Sequence, residues 1–393
     1  MRTLALLVVA VAACGGAQPH PTTLHPVAAD PAHDLKDKTA GGMAAPDRRA
    51  GTGGVTPREA TDLDVVRLEV HGHDAGGDPN IEASSPGPLL LKGNAALADK
   101  KYDDALAAYR KIVSDFPDSK AAPVAMYNVA LVYEAQGQID LAIQTYRDLV
   151  KAYPIGRDSI DAHIRIAALQ AERSQWKDAD DTLDQVLART DLEHADRIEA
   201  YARKGYVQLS MDQLDAAEAT LQSAVDTWRR AQRIDDPYFI AMANYYLGEI
   251  AHRRFLAAPL RLPDEQLKKD IIAKEALAVA AYDRWKQALV LKNAYWATAS
   301  GYQMSQIFFE LWQSAVSAPM PDGVDARAHD AYVGEVHALV REDLDKALDG
   351  HRMNVALAEA YGVETTWSEA SKQKAAEIMV VIQRESTASA SSR

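Results

Sequence analysis

The 393-residue sequence contains a single cysteine, Cys14. One thiol cannot close a disulfide within the chain, so a disulfide framework is excluded. The formal net charge is −13, from 43 basic and 56 acidic residues, and this excess of acid argues against a nucleic-acid partner. Beyond the first 13 residues no apolar run approaches the about 20 residues that a membrane-spanning helix needs. The sequence therefore predicts a folded part that binds no nucleic acid and does not cross a membrane.

The sequence also lacks the short motifs of common enzyme classes. It has no Gly-rich loop ending in Gly-Lys-Ser/Thr, no Gly-x-Ser-x-Gly elbow and no His-Glu-x-x-His zinc motif. His329 and His337 lie eight residues apart on a predicted helix, too far for the i, i+4 pair that zinc favours. We therefore expect a protein that is not an enzyme, with no catalytic residues, no cofactor, no metal site and no small-molecule substrate.

The N-terminus carries the layout of an export signal. Arg2 precedes the unbroken apolar run Leu4–Val11, and two alanines follow it. A positive start, a short apolar core and small residues are typical of a secretory signal. The passage Val-Ala-Ala-Cys that ends at Cys14 resembles the lipobox of bacterial lipoproteins. An ordinary signal peptide with a chance cysteine is the alternative.

The lipobox resemblance implies how the chain is anchored. Residues 1–13 would be a lipoprotein signal peptide, and Cys14 would carry a diacylglyceryl group and further acyl chains such as palmitate. Two or three acyl chains together anchor a protein stably. Gly15, rather than aspartate, follows the cysteine, and in bacterial lipoproteins this favours the outer membrane. We expect a location on its inner leaflet, facing the periplasm.

The next segment is rich in Gly and Pro. Residues 15–87 contain eleven Gly and eight Pro, and no aromatic residue occurs before Tyr102. Such a composition cannot bury enough apolar surface to offset the entropy of ordering the chain. We expect residues 14–87 to be the lipidated cysteine and a disordered linker. Within it, Val66, Leu68 and Val70 alternate with other residues, so 60–75 could instead pair as a strand with a partner's sheet edge.

Four short passages then recur with a nearly fixed period. Each ends in an alanine, and the alanines lie 37, 37 and 38 residues apart, at Ala105, Ala142, Ala179 and Ala217. Twelve residues earlier stands a small residue, namely Gly93, Ala130, Ala167 or Gly205. Four residues later stands a bulky one, namely Tyr109, Tyr146, Leu183 or Leu221. A fixed period of this size predicts stacked helical hairpins, in which a bulky residue of one helix fills the space left by a small one.

This pattern resembles the tetratricopeptide repeat, whose helix–turn–helix units stack into a superhelix. We therefore expect an all-α fold with a disordered N-terminal tether, a tetratricopeptide repeat (TPR) array over 88–255, a helical TPR-like region over 256–385 and a flexible tail over 386–393. A fifth unit begins with the passage "ANYYLGEIAHRR", which places Gly248 at the small-residue position. Its matching alanine is expected at Ala278, after an insertion that should form a surface loop.

Three later passages resemble a module of myxobacterial TPR proteins. They are "FLAAPLRLP", "YWATASGYQMSQIFFELWQSAVSAPMPDG" and "VALAEAYGVETTWSEA". The best-known members of that group are the adventurous gliding motility TPR lipoproteins, including the E component of the Glt apparatus. The resemblance implies lipidation, an envelope location and a scaffold of the gliding machine, with no catalytic residues. A TPR lipoprotein of general envelope maintenance, in outer-membrane protein assembly or cell-wall remodelling, is the alternative.

In TPR superhelices the first helix of each unit faces the concave side, where we expect other envelope proteins to bind. The predicted partner-binding groove consists of Tyr127, Leu131, Glu134, Tyr206, Leu209, Tyr245, Glu249 and Arg253. The alternative is that several of these tyrosines pack against neighbouring repeats. Asn94 and Asn128 are present, but Leu90 and Tyr127 stand where a clamp for a terminal carboxylate needs polar groups. The groove is therefore expected to read side chains rather than a chain end.

Overall fold

The computed structural model describes residues 57–58, 66–73, 79–231, 234–320 and 328–391. The predicted signal peptide and Cys14 lie outside these residues. The chain divides into two compact units, with the boundary between Arg203 and Lys204. The N-terminal unit comprises the described residues up to Arg203, and the C-terminal unit comprises those from Lys204 onward.

The described residues form a two-stranded hairpin followed by 13 α-helices. The hairpin consists of β1 (Arg67–His73) and β2 (Pro79–Ser84). The helices of the N-terminal unit are α1 (Pro86–Ala98), α2 (Tyr102–Asp115), α3 (Ala121–Ala135), α4 (Ile139–Ala152), α5 (Arg157–Glu172), α6 (Trp176–Leu187) and the start of α7 (His194–Ser210). Those of the C-terminal unit are the rest of α7, α8 (Leu214–Arg230), α9 (Tyr238–Ala257), α10 (Asp264–Leu289), α11 (Ala294–Val316), α12 (His329–Tyr361) and α13 (Thr366–Ser391). The all-α fold class is confirmed.

The small and bulky positions of the repeat meet as the spacing predicts. In the first pair, a Cβ added to Gly93 would lie 2.5 Å from Cε1 of Tyr109. In the second, Ala130 and Tyr146 are both fully buried in one apolar cluster. These contacts explain why a small residue faces a bulky one in each pair, because a larger residue at the small position would push the two helices apart.

The turns inside the first four helix pairs share one backbone conformation. The residue that ends each turn has a positive φ, and these residues are Lys100 (60°), Gly137 (71°), Ser174 (58°) and Asp212 (60°). The next residue donates its N–H to a carbonyl five positions earlier, as in Gln138 N–H to Tyr133 O at 2.8 Å. This is the Schellman type of helix ending. The turn geometry recurs although only one of the four positions is a glycine.

In the fifth helix pair the matching alanine differs from the one expected. The residue that fills the space over Gly248 is Trp285, whose Cδ1 would lie 2.5 Å from an added Cβ, so the matching alanine is Ala281 rather than Ala278. Residues 258–263 form the loop expected between α9 and α10. The other inserted residues lengthen the helices, and α9 and α10 have 20 and 26 residues.

Buried aromatic rings form the core of the C-terminal unit. Trp296 on α11 is fully buried, and its ring centre lies 5.2 Å from that of Tyr245 and 5.7 Å from that of Tyr246, both on α9. A second cluster brings Phe309, Leu344 and Ile378 together from α11, α12 and α13. Large rings with offset or edge contacts contribute more than their buried area. They hold the long helices of this unit together.

Two segments expected to be disordered or flexible have regular structure. Within the predicted linker, β1 pairs with β2 of the same chain in an antiparallel register, with Leu68 opposite Ala83. Residues 67–70 of the alternating passage thus belong to a strand, and the strand paired with it in the described residues is β2 of the same chain rather than a partner's sheet edge. The predicted tail is also helical as far as Ser391, because no Gly or Pro interrupts α13. None of the helices in the described ranges combines the length and apolar character needed to cross a membrane.

Candidate functional site

The first helices of successive pairs line up polar groups in the N-terminal unit. Helix α3 packs against both α1 and α5, so residues on the same face of these helices become neighbours. They include Asn94 on α1, Tyr127 and Asn128 on α3, and Asp158 and Asp161 on α5. We call this set, with the space between its members, the amide–acid groove.

Local sequence explains why two carboxylates stand at one end of the groove. Gly156 has φ of 104°, a conformation open to glycine, and α5 begins at the next residue. Asp158 therefore lies in the first turn of α5, and Asp161 one turn further on the same face. Carboxylates are favoured near a helix N-terminus because they interact with the positive end of the helix dipole.

The groove holds the backbone of Arg58, a residue of the N-terminal segment. The Arg58 N–H donates to Oδ1 of Asn128 at 2.8 Å. The Arg58 carbonyl accepts from Nδ2 of Asn128 at 3.0 Å and from Nδ2 of Asn94 at 3.2 Å. Both main-chain groups of one residue are thus satisfied by side-chain amides. These contacts would accept any residue that presents its backbone in the same way.

The Arg58 side chain occupies the acidic end of the groove. Its guanidinium carbon lies 3.7 Å from the centre of the Tyr127 ring, a cation–π arrangement. Nη1 donates to Oδ1 of Asp158 at 2.6 Å, and Nη2 donates to Asp161. Burial by itself would lower the pKa of Arg58, but Tyr127, Asp161 and Asp158 together raise it above its ordinary value. The guanidinium stays charged at every accessible pH.

A second layer of hydrogen bonds fixes the groove residues. Tyr109 donates from its hydroxyl to Oδ1 of Asn94 at 2.8 Å, which leaves the Asn94 amide nitrogen directed at Arg58. Arg157 pairs with Asp161 at 2.8 Å and also with the buried Asp196. Asn94 and Asp161 are therefore each held by a partner other than Arg58.

Of the predicted groove residues in the N-terminal unit, Tyr127 belongs to the amide–acid groove, whereas Leu131 and Glu134 do not. Tyr127 and Leu131 are buried, and Tyr127 presents one ring face to Arg58. Glu134 accepts a hydrogen bond from the Tyr146 hydroxyl at 2.7 Å and two from Arg165 Nε at 3.1 and 3.0 Å. Burial raises the pKa of Tyr127 and Tyr146, so both phenols stay neutral. Only Tyr127 of these three predicted residues contacts the bound arginine.

The predicted groove residues of the C-terminal unit are mostly core. Tyr206, Leu209 and Tyr245 are 3%, 1% and 4% exposed. Tyr245 accepts a hydrogen bond from Nε2 of Gln303 at 3.3 Å. Tyr206 and Tyr245 therefore pack against neighbouring helices, as the alternative interpretation expected. Whether a partner binds this face stays a prediction.

Two charged residues from that prediction retain some exposure. Glu249 is half-buried, and burial raises its pKa, so it takes up a proton more readily than a free glutamate. Arg253 donates from Nη1 to the carbonyl of Leu209 at 3.3 Å. One turn from Glu249, the ring nitrogen Nε2 of His252 lies 2.6 Å from Glu310. This polar group lies beside the aromatic core of the C-terminal unit.

The other residues of the amide–acid groove were not predicted from the sequence. Asp158 and Asp161 are separated by one helical turn at the start of a first helix, and this spacing was a usable signal. Arg58 carried no such signal, because it lies 70 positions from Asn128 and 100 from Asp158. Asn94 and Asn128 were noticed only as parts of a clamp for chain ends. They bind an internal residue instead.

Among the described residues, three carboxylates lie close enough together to be considered as ligands of a cation. Asp180, Asp181 and Asp184 on α6 place carboxylate oxygens within 4.8 Å of one another. Asp181 and Asp184 are exposed, and Asp181 pairs with Lys177. Exposed carboxylates that already pair with a lysine do not define a metal site.

Comparison with known proteins identifies the repeat. Tetratricopeptide repeat models match residues 90–154 and 198–227. The first match spans α1 to α4, which includes Asn94, Tyr127 and Asn128. The second lies on α7 and α8. No curated protein matches the sequence.

Several solved structures share similarity with the chain at low identity. A tetratricopeptide repeat protein of Parabacteroides merdae has 12% identity and a TM-score of 0.34, covering 74% of this chain and 98% of that one. A TPR repeats protein of Bacteroides fragilis has 17% identity and a TM-score of 0.33, covering 57% and 98%. Yeast Tom70 has 14% identity and a TM-score of 0.33, covering 81% and 67%. Similarities this distant add nothing to the repeat assignment.

Proposed function

We propose that this chain is a membrane-anchored scaffold that binds other proteins within a cell-envelope machine, most directly the gliding motility apparatus. Tetratricopeptide repeats are protein-interaction modules, and this part of the proposal follows from the repeats themselves. The observation that carries the proposal is the pair Asn94 and Asn128, which hold both main-chain groups of Arg58. Side-chain amides in this arrangement bind polypeptide backbone, so the natural ligand of the groove is another segment of protein.

Membrane anchoring rests on the sequence around Cys14. The apolar run, the small residues and the lone cysteine support lipidation at that thiol and export to the periplasmic side of the outer membrane. The residues between Cys14 and Arg58 would then connect the lipid to the groove. The chain would act by holding partners near the membrane and would need no cofactor or small-molecule substrate.

The choice of machine rests on the three C-terminal passages that resemble the gliding motility lipoproteins. Trp296, Phe309 and Trp367, which they contain, pack within the C-terminal unit. The passages therefore supply aromatic packing contacts between its helices.

Replacing Cys14 tests the anchor. We expect Cys14→Ser to release the protein from the membrane fraction of its host, and mass spectrometry of the native protein to show an N-terminal cysteine that carries acyl chains. Replacing Gly15 with alanine serves as the control, since it leaves the thiol in place. An unmodified mature N-terminus would overturn the anchoring proposal.

Deleting the gene tests the assignment to the gliding motility apparatus. We expect single cells filmed on agar to lose surface gliding, and an intact gene supplied in trans to restore it, whereas the Cys14→Ser gene should not. Normal gliding with altered outer-membrane protein assembly or cell-wall shape would reject the gliding assignment. That result would favour the role in general envelope maintenance.

A further inference from the structure

The N-terminal unit holds part of its own chain as it would hold a bound peptide. Arg58 precedes Asn94 by 36 positions and Asp161 by 103, so its contacts are not consequences of local geometry. All of them come from side chains on the first helices α1, α3 and α5. In repeat arrays that bind peptides, this is the face open to ligands.

The acidic end of the groove is selective for arginine. A guanidinium is planar, so it can lie flat on the Tyr127 ring at 3.7 Å while two of its nitrogens donate to different carboxylates. A lysine ammonium is a compact, strongly hydrated charge and cannot make this fork. A neutral side chain would leave Asp158 without its cation and Asp161 with Arg157 alone. The three backbone hydrogen bonds, by contrast, carry no sequence preference.

The amide–acid groove is partly buried rather than closed to solvent. The Arg58 side chain is 20% exposed, and those of Asp158 and Asp161 are 21% and 11% exposed. The contacts are three backbone hydrogen bonds with side-chain amides, two ion pairs and one ring contact. A peptide that offers the same groups could therefore replace Arg58 without disturbing the apolar core behind Tyr127.

We propose that the amide–acid groove is a binding site for an arginine within an extended peptide, and that Pro57–Arg58 is a built-in occupant which a partner's arginine-bearing segment must displace. This inference deepens the proposed function, because it names the chemistry of the partner, and it rests only on the protein-binding part of that function. Since Arg58 is covalently attached, it competes at an effective concentration on the order of millimolar. The partner therefore binds weakly until Arg58 leaves the groove.

The first test measures peptide binding by the full chain. The probe is a fluorescein-labelled synthetic peptide of residues 53–63, GGVTPREATDL, followed by fluorescence anisotropy. We expect the Arg58→Ala protein to bind it about tenfold or more tightly than the wild type, because the groove is then vacant. The same peptide with lysine in place of arginine should bind the Arg58→Ala protein about tenfold more weakly.

Further variants locate the binding site. Adding Asp158→Asn and Asp161→Asn to the Arg58→Ala protein should abolish binding, because the guanidinium loses both anions. Asp178→Asn is the matched control, since Asp178 also lies in the first turn of a helix but is exposed on α6. Equal binding by wild type and Arg58→Ala, binding that survives the loss of both aspartates, or no binding by any variant would each overturn the inference.

A second measurement does not depend on how well the Arg58→Ala protein folds. Hydrogen–deuterium exchange at the Arg58 amide gives the readout, because this N–H donates to Oδ1 of Asn128 in the wild type. We expect exchange in protein fragments that contain Arg58, followed by mass spectrometry, to accelerate several-fold when excess GGVTPREATDL peptide is added. No acceleration would show that Arg58 is a fixed part of the fold and would overturn the inference.

The two sets of experiments fail separately. Absence of peptide binding would leave the anchoring and gliding experiments standing, because neither uses the groove. Normal gliding after gene deletion would reject the proposed machine while leaving tight binding of the arginine peptide intact.

Discussion

At the scale of single residues, close packing occurs where a glycine faces a bulky side chain. Gly248 on α9 faces Trp285 on α10, which is fully buried. The glycine does not serve a special backbone conformation, since it lies inside a helix. Its role is steric, because only the absence of a Cβ lets α9 and α10 approach with a tryptophan between them.

We predict that Gly248→Ala destabilises the protein by about 1–3 kcal/mol, because the added methyl overlaps the Trp285 ring. Gly334→Ala is the matched control. Gly334 is also inside a helix, is exposed, and has no atom within 4 Å of an added Cβ. The control should be stabilised by up to about 1 kcal/mol through helix propensity. Urea unfolding followed by circular dichroism measures both, and equal effects would contradict the steric argument.

At the scale of elements, the connection between α9 and α10 is held by a buried cation. Lys274 on α10 donates from Nζ to the carbonyl of Phe255 at 2.6 Å and to that of Ala258 at 3.1 Å. These carbonyls lie at the C-terminal end of α9, where helices have no internal donors left. Burial lowers the pKa of Lys274. The positive charge also suits the negative end of the helix dipole.

We predict that Lys274→Met costs about 1–3 kcal/mol of stability, because the methionine keeps the apolar stem but leaves two carbonyls without this donor. Lys268→Met is the control, since Lys268 is exposed on the same helix and should change stability by less than about 0.5 kcal/mol. Hydrogen–deuterium exchange should also rise around residues 255–263 in the first variant. Unchanged exchange there would show that the lysine is not needed to hold the end of α9.

Sequence period and turn chemistry account for most of the element pattern. The four recurring alanines, with their small and bulky companions, predicted the helix pairs of the array. Lys100, Ser174 and Asp212 gave no glycine signal for their left-handed turns, yet the surrounding helices impose that conformation. The hairpin of β1 and β2 was missed because Gly and Pro dominate the composition of the segment, whereas strand formation depends on the short alternation at 66–70.

For the molecule as a whole, the response to pH depends on buried histidines with opposite shifts. Burial, with a contribution from Lys374, lowers the pKa of His351 to about 4. The hydrogen bond with Glu310 raises the pKa of His252, although burial opposes it. Below pH 6.5 the unfolded chain protonates His351 while the folded chain does not. Stability from His351 is therefore lost as the pH falls from about 6.5 towards 4.

We predict that His351→Gln flattens the acid loss of stability, which for one proton has a slope of up to about 1.4 kcal/mol per pH unit. Urea unfolding at about pH 7 and about pH 5 provides the comparison with the wild type. His252→Gln should act in the opposite sense, because a raised pKa contributes stability below pH 6.5 that is lost as the pH rises through the folded value. A steeper acid loss in the His351 variant would contradict the assignment.

The sequence by itself determined the all-α class, the 37-residue period and the positions at which paired helices touch. Those features depend on the sizes of side chains at fixed spacings within one repeat, so they can be recognised in the sequence without the tertiary structure. Only the tertiary structure decided that Trp285 fills the space over Gly248, and that Asn94, Asn128, Asp158 and Asp161 converge on Arg58. The four groove residues lie 36 to 103 positions from Arg58, and stacking of α1, α3 and α5 brings them together. Spacing along the chain predicts neighbours within a hairpin, whereas a site assembled from several hairpins depends on how they pack.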